Sequence, residues 1–359
     1  MKKLIAVIGI ILFLIGMILL EQGTSEQFAE KPRKGGILMV GSAADSSWNE
    51  AHRAGIDQAA EKLELPLEYE ENVTPENCPA VIERMIANGC NIIISTSISF
   101  EEGVKEVAQL HHDVSFLQAT GNVARPNLAP YMGRMYQARY LAGIVAGKYS
   151  RSHAIGYIAT VSIPEVIRGI DAFALGARHA DPDAVVYVKY TGSWSDDEQA
   201  KIATEELLSQ VPEIDVISMH LDTYGPLQIA RAHGIQAIGC NVRNPEYEDI
   251  LLTATIWNWD TLYSRYLREA IQGRLSGRSY LVGMETGIVD LAPLSGRCDE
   301  EIVRMVQAEK DEIVKGEKDV FYGPIYDQQG NLRAAEGENL SDKVLFDQLD
   351  WYVEGVRLP

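Results

Sequence analysis

Seven short stretches of this 359-residue sequence are rich in small hydrogen-bonding side chains, and four of them add flat aromatic rings. They are Asp45-Ser46-Ser47-Trp48-Asn49, Thr96-Ser97, Thr120-Gly121-Asn122, Ser193-Trp194-Ser195-Asp196, His220-Leu221-Asp222-Thr223-Tyr224, Asn241-Val242-Arg243 and Trp257-Asn258-Trp259. An indole offers a rigid face on which a planar ligand stacks, while Asn, Asp and Thr supply the hydrogen bonds that fix its edge. This is the chemistry of recognition. Any one of these tryptophans alone would suit packing between lobes, but four of the chain's five fall in these stretches, which favours a shared site. Asp45 and Asp196 also stand just before helices, where a carboxylate caps free N–H groups.

Catalytic patterns are poor by comparison. The turn Val40-Gly41-Ser42-Ala43-Ala44 lacks both the dinucleotide-binding glycine pattern and the phosphate-cradling loop, and no nucleophile elbow occurs. His111-His112-Asp113 closes a helix ahead of a strand and reads as a solvated helix end, not a metal site. No catalytic residue, metal or cofactor is expected. An enzyme acting on nucleosides would need a poised acid or base, for which Asp45, Asp222 or His220 could be nominated.

The elements that must position these stretches are legible as short apolar or β-branched runs alternating with amphipathic segments, the pattern of parallel strands joined by helices. One series comprises strand 36–40, helix 48–63, a helix capped by Thr74 with Pro75 at its first position, strands 91–95 and 115–119, and helix 137–149. A second runs through strand 153–159, helix 164–179, strand 185–190, helix 196–211, and strands 215–220 and 236–241. Two successive α/β units predict two lobes with ligands in a cleft at the carboxyl ends of their strands, where all seven stretches lie. The expected division is 36–148 plus 257–285 for lobe 1, and 149–256 plus 286–359 for lobe 2.

Composition narrows the partners. A formal net charge of -19 repels the phosphate backbone that a nucleic-acid binder must neutralise. Cys78, Cys90, Cys240 and Cys298 are too few for a disulfide scaffold and form no C-x-x-C pair. At the front, Lys2 and Lys3 precede seventeen apolar residues, Leu4 to Leu20. That is longer than the roughly 7 to 15 residues of a cleavable signal core, and no small-residue cleavage site follows. Residues 1–20 are therefore read as an export signal retained as a membrane anchor, and 21–35, polar and rich in Ser, Gln, Glu and Lys, as a tether. The globular part is expected on the extracytoplasmic face of the membrane, or in the periplasm if the segment is cleaved.

With these residues assembled, the chain resembles the basic membrane protein family of extracytoplasmic solute-binding proteins, which serve ABC transporters and include purine nucleoside receptors. The resemblance is carried by Asp45-Ser46-Ser47-Trp48-Asn49, similar to the family's D-x-S-F-N, and by Tyr140-Leu141-Ala142-Gly143 and Gly192-Ser193-Trp194-Ser195-Asp196. It extends to Tyr322-Gly323-Pro324-Ile325-Tyr326-Asp327 and Trp351-Tyr352-Val353-Glu354-Gly355-Val356. It implies a two-lobed type I periplasmic-binding fold, each lobe a parallel sheet flanked by helices, with an ABC permease as partner. By position, Trp48 replaces the family's stacking Phe, Asn49 matches the Asn that bonds the purine edge, and Asp45 matches an acid at the site.

Three departures bear on the ligand. Thr120 stands where the family has an Asp closing a strand, Asn241 replaces the Asp that reads ribose hydroxyls, and Trp257 falls on the sugar-contacting Lys. The glycine-rich turn is also changed, to Leu221-Asp222-Thr223-Tyr224-Gly225. Losing charged sugar contacts and gaining a flat wall favours a smaller, planar, uncharged molecule, a free purine base, with another heterocycle or a modified nucleoside left open. The expected ligand contacts are Asp45, Trp48, Asn49, Thr96, Thr120, Gly121, Trp194, Asp222, Thr223, Asn241 and Trp257. Two other functions compete with the receptor: a membrane-tethered sensor whose bound form touches a signalling partner, and the nucleoside-processing enzyme.

Overall fold

The structure, a computed structural model, describes residues 33–43, 47–316 and 319–359. The expected anchor at 1–20, most of the tether and Asp45 lie outside these. Among the described residues no helix is long and apolar enough to cross a membrane.

Two parallel sheets form the body. The first runs in the order β11(Tyr280–Val282), β5(Leu128–Gly133), β4(Ser115–Ala119), β3(Ile92–Ser95), β1(Gly35–Leu38), β2(Leu67–Glu70), with every pair parallel. The second runs β12(Val289–Leu291), β10(Leu251–Trp257), β9(Gln236–Gly239), β8(Val216–His220), β6(Ala154–Ala159), β7(Val185–Tyr190), β15(Val356–Arg357), while β13(Ile325–Tyr326) and β14(Leu332–Ala334) pair apart as a small antiparallel ribbon. Only β12 is antiparallel to its neighbour in the second sheet. The two sheets thus repeat one winding order, and β4 of the first corresponds to β9 of the second. Runs such as Ile92-Ile93-Ile94 are buried on both faces because helices cover both sides, which is why they read as continuous apolar strands.

Three helices, α1(Ser47–Lys62), α2(Cys78–Ala87) and α3(Glu101–Ala108), flank the first sheet. The start of α2 differs from the sequence reading. Thr74 and Asn77 bond each other, the Thr74 N–H to Asn77 Oδ1 at 2.9 Å and the Asn77 N–H to Thr74 Oγ1 at 3.4 Å, so Thr74 closes a turn. The helix begins four residues later with Pro79 in its first turn, where a missing N–H costs nothing. Asp196 caps α6(Asp197–Gln210), its Oδ1 accepting from the Gln199 N–H at 3.0 Å.

Between β5 and β6 lies α4(Met135–Tyr149), followed after β6 by α5(Pro164–Ala180). The expected boundary at 148/149 falls at the far end of α4, yet α4 packs on α5, β10 and β12 of the second sheet. The chain therefore passes between the lobes near Arg134, ahead of this helix. The small residues of α4 explain its place: a Cβ added at Gly143 would stand 2.0 Å from the Phe173 carbonyl oxygen, so the α4 and α5 backbones nearly touch. The helix α7(Gly225–His233) follows β8. The chain recrosses near Asn258 to α8(Trp259–Ile271), which packs on α1, and near Gly283 on its way to β12 and α9(Glu300–Lys315). All four cysteines are free and buried.

Candidate functional site

The carboxyl ends of both sheets face one cavity of about 690 Å³, within the usual range for small-molecule sites. Each wall is set by a strand end. From the first lobe come the turn after β1, Trp48 and Asn49 at the start of α1, Thr96 after β3 and Thr120 after β4. From the second come Trp194 after β7, His220 at the end of β8 and Asp222 just beyond it, Asn241 after β9 and Trp257 at the end of β10. Thr120 and Asn241 occupy corresponding ends of β4 and β9, and both backbones are left-handed, with φ of 56° and 65°. Asn tolerates that region; a β-branched Thr is strained there, and such strain gathers at ligand sites.

Trp48 donates from Nε1 to the Thr96 carbonyl at 2.9 Å, which fixes its ring edge-on to Trp257 at 5.7 Å. Trp257 stacks flat on Trp259 at 4.4 Å, and Trp259 stacks in turn on His52 at 4.2 Å. Behind this pile His52 Nδ1 and the hydroxyls of Tyr263 and Tyr131 form a buried chain with spacings of 2.7 and 2.6 Å. Burial holds the His52 imidazole well below its ordinary range, hence neutral. The other edge of Trp257 rests on Gly133, where a Cβ would come within 2.4 Å of the indole. The result is a rigid aromatic wall with little rotamer freedom to lose on binding.

Asn241 is committed on both ends of its amide. Its Oδ1 accepts from Trp257 Nε1 at 3.1 Å, and its Nδ2 donates to Asp222 Oδ1 at 2.8 Å and to Ser47 Oγ at 3.1 Å. Asp222 is raised to about 7, chiefly by burial, with the Asn241 bond opposing the shift. Asn49 is different: it is 1% exposed, lines the cavity, and its Oδ1 has no hydrogen-bond partner among the described residues. A buried acceptor left unpaired is costly, so a donor from a ligand fits there.

Of the eleven expected contacts, eight line the cavity: Trp48, Asn49, Thr96, Thr120, Trp194, Asp222, Asn241 and Trp257. Thr96 does so while its hydroxyl bonds the Leu38 carbonyl, and Thr120 while its own bonds Ala119. Gly121 is turned away, packed against Gln118. Thr223 is absent from the wall because its hydroxyl bonds Asp197 and accepts from the Gly225 N–H at the start of α7. Asp45 lies outside the described residues.

Strand ends alone did not point to Tyr136 and Arg139 on α4 or to Glu165 and Arg168 on α5, all of which line the cavity. For the two arginines the signal was a cation flanked by apolar or small residues: Arg139 between Ala138 and Tyr140, Arg168 between Ile167 and Gly169. Arg139 is 3% exposed and donates to Tyr157 Oη at 3.0 Å and the Met219 carbonyl at 3.2 Å. Arg168 is 5% exposed, and burial pushes its guanidinium down to about 10. His220 beside them is held well below its ordinary value by burial and then by the two guanidinium charges.

Residues 33–322 match the family described as ABC transporter substrate-binding protein, PnrA-like, or Bmp. A purine-binding protein from Brucella abortus is 31% identical over 337 residues, covering 92% of this chain and 95% of that one. A protein from Haloferax volcanii, named provisionally as an ABC transporter glucose-binding protein, is 32% identical over 89% of this chain and 79% of its own. Among solved structures, an ABC transporter solute-binding protein from Conexibacter woesei is similar in fold, with a TM-score of 0.70 at 20% identity, covering 80% of this chain and 98% of that one.

Proposed function

The chain belongs to the PnrA-like, or basic membrane protein, family of ABC transporter substrate-binding proteins, and from that premise we propose a non-catalytic receptor that closes on a purine base and delivers it to a permease. Members of this family are extracytoplasmic proteins that bind a small molecule and engage an ABC permease. In this reading residues 1–20 export the chain and hold it at the membrane. N-terminal sequencing should then begin at the start of the chain, and a mature protein starting between Gln22 and Lys34 would remove the anchor.

The observation that carries the base over the nucleoside is the Trp257–Asn241 pair. Where the family reads sugar hydroxyls with an acid and a lysine, this chain has an indole bonded to an amide whose donors and acceptor are all engaged. A ribose placed against that wall loses water from its hydroxyls and gains few bonds. Each unpaired buried hydroxyl costs on the order of 1 to 3 kcal/mol, so two give roughly a thirtyfold or greater preference for the base. Titration calorimetry with adenine, adenosine, guanine and guanosine tests this. Equal or tighter binding of the nucleosides would overturn it. A monosaccharide is the second reading, supported by the name of the Haloferax relative and by the fit of a pyranose face to an indole.

A further inference from the structure

Arg139 and Arg168 bring two buried positive charges to the cavity, and neither guanidinium forms an ion pair among the described residues. Arg139 has only neutral partners: Nη1 donates to Tyr157 Oη and the Met219 carbonyl, and Nη2 reaches Cys240 Sγ at 3.5 Å. Arg168 donates from Nη1 to the Leu345 carbonyl at 2.7 Å, while one face of its guanidinium lies 3.8 Å over the Phe346 ring. Among the described residues its Nε and Nη2 form no hydrogen bond. Beside the two arginines, His220 Nδ1 is buried with no hydrogen-bond partner among the described residues, and a Cβ on Gly169 would meet both that nitrogen and the Arg139 stem at about 3 Å. Glu165, which also lines the cavity, is within electrostatic reach of both guanidinium groups but makes no direct salt bridge with either among the described residues.

Buried guanidinium donors left without a hydrogen bond are expensive, and a cavity that two such groups line is completed by a ligand that accepts from them. Guanidinium groups only donate, and they match carbonyl oxygens and anions in a fork geometry. Among purines the arginine fork suits the O6/N7 edge of an oxopurine, whereas the amino group of adenine presents a donor against it. Asn49 carries both a donor and an acceptor and so accepts either edge.

Building on the purine-base reading above, we propose that the site selects oxopurines: bases with a carbonyl-rich or anionic edge, such as hypoxanthine, xanthine and urate, turned toward Arg139 and Arg168. The aromatic wall takes the face of the base and the arginines take its oxygens. Adenine has the same flat face and binds more weakly.

Titration calorimetry on the full chain with adenine, hypoxanthine, xanthine, urate and D-glucose tests this. Hypoxanthine and adenine differ chiefly at the six-position, so that pair isolates the carbonyl without any variant. Hypoxanthine is expected at least about tenfold tighter than adenine, as one charge-assisted hydrogen bond implies, with xanthine or urate tighter still. Adenine binding as well as hypoxanthine overturns this inference and leaves the purine-base reading intact. Glucose binding with no response to any base overturns the reading itself. In Arg168→Gln the hypoxanthine-to-adenine ratio should collapse toward one; an unchanged ratio in the folded variant removes Arg168 from the recognition, and if the variant does not fold the wild-type series decides alone.

Discussion

Asn241, at the end of β9 in one lobe, donates from Nδ2 to Ser47 Oγ at the start of α1 in the other, at 3.1 Å. This bond spans the base of the cleft, and the same amide anchors Trp257 and Asp222. A single side chain therefore couples the separation of the lobes to the position of the aromatic wall.

Asn241→Ala should lower stability by about 1 to 3 kcal/mol, since the buried Trp257 N–H loses its acceptor. It should also leave the ligand-free protein more open. Small-angle scattering of wild type and variant, each with and without a saturating base, measures this; identical ligand-free curves would mean the contact does not hold the lobes together.

Trp48→Ala is expected to weaken every purine by about 1 to 3 kcal/mol, the usual worth of base stacking on an aromatic platform. Because Trp48 is also fixed to the Thr96 carbonyl, part of the loss should be entropic. Calorimetry that finds bases unaffected would place the stacking face on another tryptophan.

Asp222 makes stability depend on pH in a defined sense. Its folded value, raised to about 7, lies above the ordinary 3.8, so below the lower value both states carry the proton. As the pH rises between them the unfolded chain ionises first, and the stability contribution is lost, fully so once the folded group has titrated. The melting temperature of Asp222→Asn should therefore gain on wild type by several degrees from about pH 4 to about pH 7 and level off above. A constant gap would mean that Asp222 ionises normally.

Gly143→Ala should destabilise the second lobe by about 1 to 3 kcal/mol or more, since the new methyl meets the backbone of α5 and no side chain that could turn aside. Denaturant unfolding reads the loss, and a neutral effect would mean that the two helices separate at little cost.

Much of this architecture was legible because parallel strands covered on both faces announce themselves: Ile92-Ile93-Ile94 and the run at 154–159 need no partner to be recognised. The strand-end rule then led to eight wall residues. The start of α2 was misread because Thr74-Pro75 carries every local sign of a helix N-terminus, and only the choice of Thr74 and Asn77 to bond each other delays the helix to Cys78. β5 was missed since Pro130 interrupts it. Arg139 and Arg168 escaped notice for another reason: they approach the cavity from helix faces, and a cation in a helix gains meaning only when its neighbours in space are known.

Both sheets are finished late in the chain. β11 lays Tyr280 against Tyr131, and β15 lays Val356 against Val186, partners about 150 and 170 residues apart. During synthesis neither lobe can seal when its first strands leave the ribosome; each waits with an open edge for a strand made long afterwards. Such long-range closure slows folding. For a family whose members work outside the cytoplasm such a delay suits export, because a chain must remain unfolded to be threaded through a translocation channel.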